Sequence, residues 1–224
     1  MSPLETLELE PDQTATAAVI WMHGLGADAS DFYSVVPELG LPATLAVRFV
    51  FPNAPKIPVT INMGMTMRAW YDVTGFERRD QDEPRIRQSA TWIDEMVAHE
   101  VGRGVPRDRI VLAGFSQGGA MALFAGLRCT EPLAGLICLS GYLPLHEELE
   151  SIAQNGRPLP PIFQAHGTDD PVVPFATGVR SRDLLTAAGV DVDWREYPMG
   201  HQVCLEEIRE IGAWLARVLG RSSP

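Results

Sequence analysis

The chain has 224 residues, and its 18 lysines and arginines against 29 aspartates and glutamates give a formal net charge of −11 at pH 7. That balance argues against nucleic acid, and against stable anchoring on an anionic membrane surface. The length suits one domain, residues 1–224, with a sizeable core, and no apolar run is long enough to span a bilayer.

The acidic, alternating start MSPLETLELE predicts an edge strand over 4–9 rather than a signal peptide. A buried strand over 18–22 runs into the Gly-flanked loop His23-Gly24-Leu25-Gly26-Ala27-Asp28, followed by a helix near 31–39. Gly24 to Ala29 also fits G-x-G-x-x-A, a dinucleotide-binding pattern. That fingerprint wants a carboxylate at the end of the next strand. The next strand, 47–51, runs into Pro52-Asn53 instead, so no nucleotide cofactor is expected. The segment Lys56 to Glu83 is apolar in its first half, and its alternation about Gly64 predicts a small hairpin. It covers the core, forms one wall of a ligand groove with Met65 and Trp70 as substrate contacts, or does both. A helix over 84–103 follows, with Ile86, Ala90, Ile93, Val97 and Val101 as its core stripe.

Residues Ile110 to Gly119 read IVLAGFSQGG. A strand over 110–115 and a helix over 117–128 leave Ser116 on the sharp turn between them, the G-x-S-x-G nucleophile elbow. Gly114 and Gly118 remove the Cβ atoms that would crowd such a turn. Beyond it, strands over 134–140, 161–166 and 192–197 alternate with helices near 146–153, 176–188 and 203–219. Leu205, Ile208, Ile211, Leu215 and Val218 form the last core stripe. The stretch Gly141 to Pro160, about twenty residues, suffices for a short helix and not for a lid domain. This alternation predicts an α/β fold: a mostly parallel central sheet with helices on both faces.

A nucleophilic serine needs a base, and the base needs an acid to orient it. On an α/β-hydrolase scaffold they follow in the order Ser, Asp or Glu, His. His201 comes last, in the loop Pro198 to Val203 just past a strand, and is the expected base. Among the other four histidines, His23 and His166 precede glycines and shape the backbone, whereas His99 and His146 read as surface residues. The acid lies at Asp169 or Asp170. Pro171 holds Asp170 extended, which favours it without excluding its neighbour. Cys129, Cys138 and Cys204, odd in number and far apart, suit a reducing, cytoplasmic compartment. Cys138 and Cys204 are read as packing residues. No metal site and no cofactor are expected.

HGLGAD (23–28), FPNAP (51–55), WYD (70–72), GFSQGG (114–119), HGTDDPVVP (166–174) and MGHQV (199–203) follow one another across nearly the whole chain. This series resembles the phospholipase/carboxylesterase family, which includes bacterial carboxylesterases and acyl-protein thioesterases, on the α/β-hydrolase fold. The resemblance implies Ser116 as nucleophile, Asp170 as acid, His201 as base, and the backbone N–H groups of Leu25 and Gln117 as oxyanion hole. Gln117 opens a helix, so its N–H lies at the positive end of the helix dipole. The expected activity is hydrolysis of short- to medium-chain carboxylic esters through an acyl-enzyme. Alternatives are acyl-protein thioesterase or lysophospholipase activity, and, from another class, a catalytically silent binding protein. The expected partner is a small-molecule ester or thioester, with acyl length and oligomeric state, a homodimer included, left open.

Overall fold

Ala17–Met22 (AAVIWM) and Ile110–Phe115 (IVLAGF) are apolar almost throughout, as strands covered on both faces must be. They lie side by side in parallel, in register from Ala18↔Ile110 to Met22↔Gly114, and the rest of the molecule is built around them. The computed structural model describes residues 4–74 and 81–220. In chain order the strands are β1 (Thr6–Leu9), β2 (Ala17–Met22), β3 (Val47–Pro52), β4 (Lys56–Val59), β5 (Met65–Arg68), β6 (Ile110–Phe115), β7 (Gly135–Leu139), β8 (Ile162–Gly167) and β9 (Val192–Tyr197). The helices are α1 (Glu83–Gly102), α2 (Gln117–Arg128), α3 (Leu149–Gln154), α4 (Phe175–Ala187) and α5 (Leu205–Leu219).

Seven strands form one sheet in the order β1-β3-β2-β6-β7-β8-β9, parallel except for the antiparallel edge strand β1. Successive strand side chains point to opposite faces, so the sheet feeds two cores. On one face Ile20, Met22 and Leu112 pack with Ile86, Ile93 and Val97 of α1 and with the apolar length of α2. On the other, Val19, Trp21 and Val111 pack with Phe32, Leu39 and the α5 residues Ile211, Trp214 and Leu215. Between β7 and β8 stand only a 3-10 turn, His146–Glu148, and the six-residue α3, so there is no large lid. No helix among the described residues is long and apolar enough to cross a membrane.

Three expectations need correction. The helix near 31–39 is a 3-10 helix, Tyr33–Leu39; Pro37 lies inside it, and its ring would clash with the carbonyl four residues back in an α-helix. Val101 and Leu205 are exposed rather than core. Near the end of α1 the inward position goes to Glu100, which accepts from Arg48 Nη1 at 2.7 Å and Arg103 Nη1 at 2.9 Å. The last helix begins at Leu205 and not at 203, since Cys204 is its N-cap. The predicted hairpin is present as β4 and β5, antiparallel with Val59 opposite Met65. The part of the Lys56 to Glu83 segment at 75–80 lies outside the described residues.

Candidate active site

Ser116 joins β6 to α2 with φ 55° and ψ −117°, a conformation that L-residues other than glycine rarely adopt. The glycines on either side make it possible. A Cβ on Gly114 would lie 2.2 Å from the carbonyl carbon of Gly118, and one on Gly118 would lie 2.2 Å from Met22 O. The spacing of G-x-S-x-G is thus a steric requirement of packing β6, α2 and the end of β2 together. The Ser116 N–H donates to Leu139 O at 2.7 Å, which ties the elbow to β7 as well.

Two other loops meet Ser116, each leaving the carboxyl end of a strand, where open α/β sheets build their sites. His201, beyond β9, lies with Nε2 3.0 Å from Ser116 Oγ and Nδ1 2.7 Å from Asp170 Oδ2. The carboxylate can only accept, so Nδ1 carries the proton and Nε2 presents its lone pair to the serine hydroxyl. The ring of Phe115 stands against His201, centroids 4.7 Å apart. Asp170, beyond β8, accepts at Oδ1 from the N–H groups of Val172 and Val173, at 2.8 and 2.9 Å, and its side chain is fully buried. Asp169 is exposed and accepts from Thr168 Oγ1. Of the two neighbouring aspartates, Asp170 is the one that faces His201.

Two further histidines brace these loops. His166, buried under Gly178 of α4, donates from Nε2 to Val173 O at 2.9 Å. His23 donates from Nδ1 to Gly24 O at 2.7 Å, while its Nε2 accepts the Ala54 N–H at 3.1 Å. Burial holds both imidazoles below the ordinary value of 6.5, which favours the neutral ring. His99 is exposed, and His146 contacts Arg180 at 3.1 Å. Neither lines the cavity at Ser116. Cys138 is buried, and burial pushes its thiol up to about 12, while Cys204 serves α5 as a cap. Among the described residues, no group of three or more His, Cys, Asp or Glu side chains is placed to hold a metal ion.

Ser116 and His201 open into a cavity of about 240 Å³. Leu25 and Gln117 also line it, and Gln117 is the first residue of α2, so its N–H has no acceptor within the helix. The walls are chiefly apolar: Ile61, Val73, Phe115 and Val172, with the rings of Tyr71 and Tyr142. The Tyr71 and Tyr142 hydroxyls pair at 2.8 Å. Asp31 contributes a carboxylate to this wall, which sequence reasoning did not single out.

The two substrate contacts expected from the hairpin segment are not part of the wall. Trp70 is 1% exposed, and its indole N–H donates to His23 O at 3.0 Å, so the ring points into the core. Met65 lies exposed on β5, away from the cavity. The segment does supply a wall, through Ile61, Tyr71 and Val73. Alternation marked which residues are apolar, but a buried acceptor for the indole N–H decided where Trp70 turned.

The sequence model described as phospholipase/carboxylesterase matches residues 8–219. The chain belongs to that family. Membership makes it an esterase-type hydrolase. Among its relatives, acyl-protein thioesterase 1 of Neurospora crassa is 42% identical over 218 residues, covering 91% of this chain and 87% of the relative. The Mycosarcoma maydis acyl-protein thioesterase 1 is 37% identical and covers 98% and 99% of the two chains. Solved structures agree on the fold. Zea mays acyl-protein thioesterase 2 superposes with a TM-score of 0.83, with 28% identity over 96% of this chain and 99% of that one. Arabidopsis thaliana SOBER1 gives 0.82 at 30% identity, covering 91% and 99%. This member of the phospholipase/carboxylesterase family therefore has the α/β-hydrolase fold, with its serine, histidine and aspartate at the carboxyl ends of β6, β9 and β8.

Proposed function

We propose that the chain is a serine hydrolase of acyl thioesters, including S-acylated proteins, which also accepts carboxylic esters. The observation that carries the chemistry is the continuous hydrogen-bond series Ser116–His201–Asp170, at 3.0 and 2.7 Å, opening on an apolar cavity. The choice of leaving group leans on the relatives. Their names shift the balance from the short- to medium-chain carboxylic ester expected from sequence towards the thioester alternative.

His201 takes the proton from Ser116 Oγ as the oxygen attacks the acyl carbonyl. Asp170, held by two backbone N–H groups, keeps the imidazole oriented and stabilises its charged form. The N–H groups of Leu25 and Gln117 receive the oxyanion, each worth about 3 kcal/mol of barrier. The bond to sulfur or oxygen then breaks, and His201 returns its proton to the departing group. A thiol, with a pKa of about 8.5, leaves as thiolate with little help, whereas an alkoxide needs that proton more. Water deprotonated by His201 then attacks the acyl-enzyme and releases the acid. The acyl chain lies along Ile61, Val73 and Val172.

The test is hydrolysis of matched octanoyl thioester and octanoyl oxygen ester, together with an S-acylated peptide. Higher kcat/KM on the thioester and turnover of the peptide support the reading. A preference for the oxygen ester with no peptide turnover returns the chain to a small-molecule carboxylesterase.

A further inference from the structure

Gln117 enters the mechanism only through its backbone N–H, yet its side chain is buried and both ends of its amide are used. Oε1 accepts the Trp70 N–H at 2.7 Å, and Nε2 donates to Tyr71 O at 2.8 Å. The amide thus clamps the bend at Trp70–Tyr71 from both of its ends. The same short segment grips the loop that carries Leu25. Gly26 N–H donates to Arg68 O at 2.9 Å on one side of Leu25, and Trp70 Nε1–H donates to His23 O at 3.0 Å on the other. Ser89 Oγ–H donates to Trp70 O at 2.5 Å and anchors the segment to α1.

Residues 68–71 therefore touch both chain points that offer an oxyanion donor. Those donors are backbone groups, so no side-chain rotation can correct their spacing. Close packing of the elbow against the loop, such as Gly24 beside Ser116 Cβ, limits how near the two can come but not how far apart. The hydrogen bonds through Trp70 are directional and limit the separation.

We propose that Trp70 is a positioning residue that sets the spacing of the Leu25 and Gln117 N–H groups, through its indole bond to His23 O and its backbone bond to Gln117 Oε1. This rests on the reading of those two N–H groups as the oxyanion hole of a serine hydrolase. Its effect belongs to the transition state, where charge forms on the oxygen, and not to binding of the neutral acyl group.

The test compares Trp70→Phe with the parent, since phenylalanine keeps an apolar ring and loses the indole N–H, together with part of the buried ring volume. The measurements are kcat and KM on an octanoyl thioester and the inhibition constant of an alkyl boronic acid, whose tetrahedral adduct on Ser116 puts an oxygen in the oxyanion position. The expected result is a kcat lower by about tenfold to a hundredfold, KM within about twofold, and boronate affinity lost in proportion to kcat/KM. Gln117→Glu, which still accepts from Trp70 N–H but opposes Tyr71 O, should show the same pattern and serves if Trp70→Phe does not fold. An unchanged kcat in a folded variant, or a rise in KM alone, overturns the proposal. If the parent shows no Ser116-dependent turnover, it is the hydrolase reading that fails.

Discussion

The N–H of Val173 donates to Asp170 Oδ1 at 2.9 Å, while the carbonyl of the same residue accepts the Nε2 proton of His166. The carboxylate that orients His201 is thereby locked from behind by backbone, and that backbone is locked by a buried imidazole. Asp170 cannot swing away from His201 without giving up the Val172 and Val173 N–H groups.

The first prediction separates the neighbouring aspartates. Asp170→Asn should lower kcat by about 10⁴, because the amide favours the wrong His201 tautomer. Asp169→Asn should leave it near the parent value. Steady-state kinetics on one soluble ester decides, and the reverse pattern would move the triad by one position.

The second concerns the nucleophile. A fluorophosphonate should attach to Ser116, and Ser116→Ala should lower kcat by about 10⁶. Mass spectrometry of the labelled peptide locates the adduct, and an adduct elsewhere contradicts the assignment.

The third tests which part of the hairpin segment touches the acyl chain. Ile61→Ala and Val73→Ala should lower the ratio of kcat/KM for octanoyl over acetyl substrates, because both residues line the cavity. The change is up to about fourfold for each methylene that loses burial, worth ~0.8 kcal/mol. Met65→Ala should leave the ratio unchanged. Equal effects at all three positions would refute the wall as drawn.

A fourth follows from Glu207, which is fully buried at the start of α5 and accepts the Cys204 N–H at 3.4 Å. Burial raises its pKa from the ordinary 4.5 to about 8. In the fold it therefore keeps a proton that the unfolded chain gives up. Where the folded state binds more protons, stability falls as pH rises. The penalty from Glu207 is absent below about 4.5, grows through the window up to about 8, and is constant above it. Glu207→Gln should remove a slope of up to ~1.4 kcal/mol per pH unit in that window. Urea midpoints of parent and variant at pH 5, 6.5 and 8 should show the variant gaining relative stability with each step. A constant difference would show that Glu207 is ionised throughout.

The strands, the order of the loops and the meeting of Ser116 with His201 were legible because strands covered on both faces leave continuous apolar runs, and because sites of this architecture gather past strand ends. The choice between Asp169 and Asp170 rested on a weak local argument plus a family likeness. In the structure, the backbone N–H groups of Val172 and Val173 hold Asp170 inward. Trp70 and Met65 were misplaced for a different reason. Apolar character does not say which way a side chain turns, and Trp70 turned towards a carbonyl 47 positions earlier. The double use of the Gln117 amide was invisible for the same reason, since its partners at Trp70 and Tyr71 are distant in sequence and are backbone atoms.

The short connection between β7 and β8 bears on timing. Where a bulky cover must swing aside, product escape often paces the cycle. Here a single 3-10 turn and the six residues of α3 occupy that place. On the proposed serine-hydrolase reading, release of the acid needs no large rearrangement there, and bond making and breaking at Ser116 is expected to set the pace. With an activated ester whose leaving group departs quickly, the first turnover should appear as a rapid burst equal to the enzyme present, followed by the slower hydrolysis of the acyl-enzyme.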